Sequence, residues 1–250
     1  MSASRTVIVT GAGRGIGAVI AQRLAREGDT VFAVDRDVAE VGEGITGIAC
    51  DITSDADVAA AVERVLAATA RIDVLVNNAG INLTGPLETA DLDAVRACFD
   101  VNVVGLLRMC QAVIPTMKRA GTGRIVNAAS FAAIVPAIGG GAYAATKSAV
   151  VQLTRVLAGE LGPWDITVNA YAPGMVPTAM NGFADMPAAQ QDELLDTLTL
   201  RRWGTADEVA DVVAFLASPA ARYVTGTLID VSGGKLATQI PARAHRAAEA

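Results

Sequence analysis

Histidine is nearly missing from this chain. Its 250 residues hold one, His245, close to the C-terminus, which excludes a histidine-based catalytic triad and a histidine-rich metal site. Cysteine is almost as scarce. Cys50, Cys98 and Cys110 are too few and too scattered for a disulfide framework or a metal centre, so they read as small apolar residues in a reducing compartment and no metal is expected. Basic charge is also short: the formal net charge is −6, which argues against nucleic acid or an anionic membrane as a partner. The long uncharged stretch from Ile125 to Thr146 is broken by Pro136 and Gly139–Gly141, so it does not make a membrane helix. The first apolar run, Thr6–Thr10, starts too early to leave room for a signal peptide. These absences lead to the expectation of a soluble cytoplasmic protein whose partner is a small molecule.

What the chain does hold is apolar sequence, 52% against 18% charged, enough to bury a large core and to cover a sheet on both faces. Short, mostly β-branched runs predict strands at Thr6–Thr10, Thr30–Val34, Ile45–Cys50, Asp73–Asn77, Gly123–Ala129, Thr167–Tyr171 and Thr227–Val231. Helical patterns fall between them. Ile16, Ile20 and Leu24 share one face and Gly28 supplies a stop; Ser54 is placed to cap a helix over Asp55–Ala68. Longer helices are predicted over Leu92–Met117, with Pro115 placed to bend its last turn, and over Ala142–Leu161, with a final one over Ala206–Leu216. No linker or repeat interrupts the alternation, so the expected fold is α/β: one Rossmann-type, doubly wound parallel sheet over residues 1–234 with helices on both faces. Two places break the pattern, a strandless stretch over 177–200 and a tail over 235–250.

A glycine-rich loop, Thr10-Gly11-Ala12-Gly13-Arg14-Gly15-Ile16-Gly17, joins the first strand to the first helix. Glycine lets backbone approach a pyrophosphate closely, and a helix N-terminus offers free N–H groups and a favourable dipole. Glycine serves any tight strand-to-helix turn, but Asp35 also closes the second strand where an acid would meet the adenosine ribose. The loop residues Gly11, Arg14, Gly15, Ile16 and Gly17, with Asp35, are therefore expected to hold a dinucleotide. A carboxylate at that point favours NAD over NADP, whose extra phosphate it would repel; Arg14 and Arg36 are the residues that speak for NADP.

Tyr143 and Lys147 stand four apart on a predicted helix, hence on one face. Reducing a ketone needs hydride from a coenzyme and a proton for the developing alkoxide. A tyrosine hydroxyl can move that proton, and an ammonium beside it favours the phenolate. Ser130, ending the strand upstream, is placed to donate a hydrogen bond to the substrate oxygen.

The glycine spacing, with Gly11, Gly15 and Gly17 in a G-x-x-x-G-x-G pattern, together with Tyr143-x-x-x-Lys147, resembles the short-chain dehydrogenase/reductase family. The likeness runs from about Arg5 to Gly234. It implies an oxidoreductase that interconverts a secondary alcohol and a ketone with NAD(P), and a tetrad of Asn102, Ser130, Tyr143 and Lys147. In that tetrad Asn102 would help to hold a lysine-linked water, and Lys147 would also bond the nicotinamide ribose. The resemblance further implies that Asp51 and Ile52 lie at adenine, and that Asn78, Ala79 and Gly80 lie on the adenosine side. Pro173, Gly174, Val176 and Thr178 would lie at the nicotinamide carboxamide. Asn82, Ala132, Ile138, Met175 and Met180 would form a partly apolar substrate pocket, with the 177–200 stretch as a lid. A homotetramer built on the Leu92–Met117 and Ala142–Leu161 helices is implied as well. An NADPH-dependent 3-oxoacyl-carrier-protein reductase is the alternative enzyme. A non-catalytic nucleotide-binding scaffold is the alternative of another class, set against which all four tetrad residues are present.

Overall fold

The computed structural model describes residues 4–39, 41–179 and 181–248. Seven strands form one parallel sheet: β1 (Thr6–Thr10), β2 (Thr30–Asp35), β3 (Ile45–Ala49), β4 (Val74–Asn77), β5 (Gly123–Ala128), β6 (Ile166–Pro173) and β7 (Leu228–Val231), in the order β3-β2-β1-β4-β5-β6-β7. Every expected strand is present, β1 at the expected bounds and the others with ends shifted by no more than two residues. Cys50 falls just outside β3, where its N–H donates to Asp35 O at 2.8 Å. Asp73 falls outside β4 because its carboxylate takes the Thr6 N–H, at 2.8 Å, across to β1.

The strands are apolar on both faces, and alternation shares them between two cores. Ile8, Phe32, Leu75 and Ile125 face α2 (Asp55–Thr69), α4 (Leu106–Ala120) and α5 (Gly141–Leu161). Val7, Val9, Val31 and Val126 face α1 (Gly15–Arg26) and α7 (Ala206–Ala217). Ile20 and Leu24 of α1 are fully buried there against Val213 and Leu216 of α7, as their helical spacing required. This is the doubly wound, single-domain Rossmann arrangement. Strand order reverses at β1, so β1 and β4 open a crevice at their carboxyl ends.

The single helix expected over Leu92–Met117 is interrupted. α3 (Leu92–Phe99) passes into a π-helical segment, Asp100–Gly105, before α4 resumes. The wider turn carries Asn102 into the protein, and Gly105 lies so close to Ile52 that a Cβ there would meet its side chain at 2.8 Å. Pro115 is accommodated inside α4.

The 177–200 stretch holds α6 (Ala188–Leu195) and, among its described residues, no strand beyond an isolated bridge from Leu198 to Lys235. The residues after Gly234 return to it. Leu236 N–H donates to Thr197 O at 2.9 Å, and His245 Nε2 lies 2.8 Å from Thr199 O ahead of α8 completing its turns (Ala242–Ala248).

Candidate active site

A cleft of about 1110 Å³ runs along the carboxyl ends of the strands, from Asp35 and Asp51 at one edge to Lys235 at the other. At its centre α1 begins. Ser54, Asp91 and Thr205 cap α2, α3 and α7 with side-chain oxygens, whereas α1 has no side-chain cap and no acid in its first turn. Its free N–H groups, set behind a glycine-rich loop in the cleft, suit an anionic ligand. The loop before it is pulled tight: Asn78 Nδ2 donates to Gly11 O at 3.0 Å, and a Cβ on Gly17 would come within 2.1 Å of that same oxygen. No residue but glycine fits at Gly17. Asp35 Oδ2 accepts the Gly13 N–H at 2.9 Å, which brings its carboxylate against the loop. Arg14 and Arg36 also line the cleft, with no hydrogen bond or ion pair among the described residues. The uncapped helix, the close glycine backbone and the acid beside it fit a dinucleotide.

Ser130 follows β5, and Tyr143 and Lys147 project from the first turns of α5; all three line the cleft. Lys147 is 4% exposed, with Nζ donating to Ala128 O at 2.8 Å and lying 5.6 Å from the Tyr143 ring centre. Asn102 stands behind the wall instead of in it. Its Oδ1 accepts Ile81 N–H at 2.8 Å, and its Nδ2 donates to Ile81 O at 2.9 Å and to Thr146 Oγ1 at 3.0 Å. Thr146 in turn donates to Tyr143 O at 2.7 Å, so Asn102 braces the first turn of α5 and the strand-end loop together. Gly80 separates Asn102 from Lys147: a Cβ there would be 3.1 Å from Asn102 Oδ1 and 3.4 Å from Lys147 Nζ.

Burial dominates the electrostatics. It pushes Lys147 down to about 8, and it raises the Tyr143 phenol above its ordinary range, opposed by a hydrogen bond from Ser130. In the protein without coenzyme, burial therefore keeps Tyr143 in its protonated, phenol form.

The remaining coenzyme-side residues singled out in the sequence, from Asp51 and Ile52 through Asn78 to Thr178, line the same cleft, as do Asn82, Ala132 and Met175. Ile138 reaches only its mouth, where it is wholly exposed. Met180 lies outside the described residues. In the glycine run before Tyr143, Gly141 packs so close to Leu87 that a Cβ there would meet its side chain at 2.8 Å. Among the lining residues that no sequence motif marks, two stand out for their chemistry. Tyr171 is fully buried and its hydroxyl donates to Asn78 Oδ1 at 3.0 Å, tying β6 to the glycine loop. Lys235 belongs to the supposed tail. Neither has a local motif, because both are brought in by strands distant in sequence.

Known proteins resemble this chain in sequence and in fold. A family model described as enoyl-(acyl carrier protein) reductase matches residues 11–235. The chain is 40% identical to the short-chain reductase protein NovJ of Streptomyces niveus, over 94% of this chain and 95% of that one. A gluconate 5-dehydrogenase from Burkholderia cenocepacia, solved in complex with NADP and tartrate, superposes with a TM-score of 0.89 at 33% identity, covering 94% of this chain and 96% of the other. A 3-ketoacyl-(acyl-carrier-protein) reductase from Brucella melitensis complexed with NADH gives 0.86 at 36% identity, covering 92% and 98%.

Proposed function

The chain belongs to the short-chain dehydrogenase/reductase family and is an NAD(P)-dependent oxidoreductase, and from that premise we propose that it interconverts a ketone and a secondary alcohol through Tyr143 with NAD as the preferred coenzyme. The observation that carries the reading is the convergence of Ser130, Tyr143 and Lys147 in one cleft with an uncapped helix N-terminus. Bound coenzyme supplies or accepts the hydride at the carbonyl carbon. The chain's own residues manage the proton and the oxygen. Tyr143, kept as a phenol by burial, gives its proton to the developing alkoxide, and Ser130 donates a hydrogen bond to the same oxygen. Lys147 spends one N–H on Ala128 O, which fixes the ammonium and leaves its other donors for the nicotinamide ribose. Asn102 is a positioning residue, holding the turn of α5 that presents Tyr143.

NAD is favoured because Asp35 sets a carboxylate at the ribose end of the cleft. Arg14 and Arg36, neither held by a hydrogen bond or close ion pair among the described residues though the Arg36 charge acts on Asp51, favour a second reading, an NADPH-dependent acyl-carrier-protein reductase. In further support of the main reading, the three thiols are free and buried, which suits a reducing, cytoplasmic setting. The outward faces of α4 and α5 suit a homotetramer.

The test is kcat/KM with NADH and NADPH on a panel of ketones, for the parent, Asp35→Ala and Tyr143→Phe. The parent should prefer NADH, and Asp35→Ala should lose that preference and gain NADPH activity, since the arginines are already in place. Tyr143→Phe should lose about a hundredfold or more in kcat with coenzyme binding retained. A parent that prefers NADPH overturns the coenzyme assignment in favour of the second reading; an active Phe variant overturns the proton donor.

A further inference from the structure

Charge is unevenly shared along the cleft. The acids that line it, Asp35, Asp51 and Asp100, come from the end of β2, the loop after β3 and the π segment. Among the described residues none comes from β6, β7 or the segments that follow them. Lys235 follows β7, at the opposite edge of the sheet from β2 and β3. Its ammonium meets no carboxylate among the described residues, and its described partner is the ring of Phe131, 5.3 Å from Nζ. Phe131 directly follows Ser130, and Ser130 and Lys235 line the same cleft, so the ring the cation faces belongs to the residue after the one whose hydroxyl is read as meeting the substrate oxygen.

The position is built rather than incidental. The Lys235 N–H donates to Ser232 Oγ at 3.1 Å, and its backbone pairs with Leu198 in an antiparallel bridge. Gly234 before it is held at φ 72°, where a Cβ would run into Thr199 Oγ1 at 2.7 Å. The surrounding wall offers little polarity. Phe131, Ala132, Val135 and Met175 are apolar, and the Asn181 carboxamide is consumed by Thr178 N–H, Phe183 N–H and Val176 O. A half-buried ammonium with no counter-charge is costly, and burial accordingly holds Lys235 below the ordinary lysine range.

The coenzyme's pyrophosphate is too distant to supply that counter-charge. It is expected at the start of α1, above β1, whereas the Lys235 ammonium lies against Phe131 after β5, two strands from β1, or about 10 Å at the usual inter-strand spacing and beyond ion-pair reach. That leaves the substrate. We propose that Lys235 is a specificity residue that pairs with a carboxylate on the substrate, so that the enzyme acts on oxo acids and their hydroxy acids in preference to neutral ketones and alcohols. One cation in an apolar wall matches a monoanion, not a phosphate dianion. This rests on the reading of the cleft as a dehydrogenase site.

Acetoacetate, levulinate and their methyl esters separate charge from carbonyl chemistry. Turnover of each is compared for the parent, Lys235→Met and Lys235→Arg. Binding of the two acids to protein loaded with oxidised coenzyme, a pairing that cannot react, is measured by calorimetry. The parent should prefer acid to ester, Lys235→Met should cut the acid-to-ester ratio of kcat/KM by about ten- to a hundredfold, and Lys235→Arg should restore most of it. Calorimetric affinity for the acid should fall alongside. An acid-to-ester ratio that does not move in Lys235→Met overturns the proposal while the reduction itself upholds the dehydrogenase reading. A change confined to the KM for NADH would assign Lys235 to coenzyme and overturn it too. Lys235-dependent acid binding without turnover of any ketone upholds the carboxylate site and counts against the reaction; absence of acid binding to the parent overturns the site.

Discussion

Lys147 keeps its charge at a price in stability that its hydrogen bond does not remove. Its value falls from the ordinary 10.5 to about 8 because the side chain is wholly buried. The unfolded chain therefore binds the lysine proton more tightly than the folded one, and between about pH 8 and pH 10.5 stability rises with pH from this group. Below that window the burial costs about 3 kcal/mol. Lys147→Met should accordingly stabilise the coenzyme-free protein at pH 7 by about 1–2 kcal/mol, the rest being lost with the bond to Ala128 O, and should abolish turnover. Urea midpoints across pH 7–10 check this, and a variant less stable than the parent at pH 7 refutes it. The spacing of Tyr143 and Lys147 was legible in the sequence, since four residues along a helix put both on one face. The direction of the Tyr143 shift was not, because it depends on how deeply Ala128, Ser130 and the rest of the fold enclose the ring. Tyr171 and Lys235 were illegible for a related reason: each meets its partner, Asn78 or Phe131, only through the strand order.

At the scale of elements, the strands and most helices followed from apolar runs and caps. Ser54 accepts the Asp57 N–H as its position before α2 implied. The π segment did not follow, since the periodicity of Leu92–Met117 continues through it and only the approach of Gly105 to Ile52 reveals the wider turn. The stretch over 177–200 divides into unequal halves. Its C-terminal end is pinned, with Thr199 N–H donating to Gly234 O at 3.3 Å and Leu200 N–H to Gly233 O at 3.1 Å. In α6 no residue is buried, so little packing opposes its opening. A lid hinged in this way should close when coenzyme and substrate bind, excluding water from the proton transfer. Amide exchange over 183–195 should slow on adding both ligands, and by much less over 198–200. Unchanged exchange over α6 would leave it a fixed helix packed beside the cleft.

The whole molecule poses a question of area. The span Leu92–Ala120 is long and apolar enough to cross a membrane by length and composition, and only 39% of its most apolar window is buried. Part of it packs on the sheet through Met109, Val113 and Met117. Beside it, α5 turns outward a row of Ala145, Ser148, Gln152, Val156 and Gly159, all exposed and all uncharged. Their spacing of three or four residues places them on one stripe, and small side chains let a second helix approach closely. A chain of net charge −6 gains nothing by leaving such a stripe bare, whereas a second copy of itself would cover it symmetrically. The tetramer proposed from α4 and α5 predicts where to break it. Val156, 56% exposed, becomes a buried interface residue in that assembly, so Val156→Glu would set like charges face to face across the two-fold axis. Sedimentation equilibrium should return four chains for the parent and two or fewer for Val156→Glu. Thermal stability should then fall with dilution in the variant first, because folding is linked to association. A parent that sediments as a single chain would reject the assembly, and a variant that stays tetrameric would move the interface off α5.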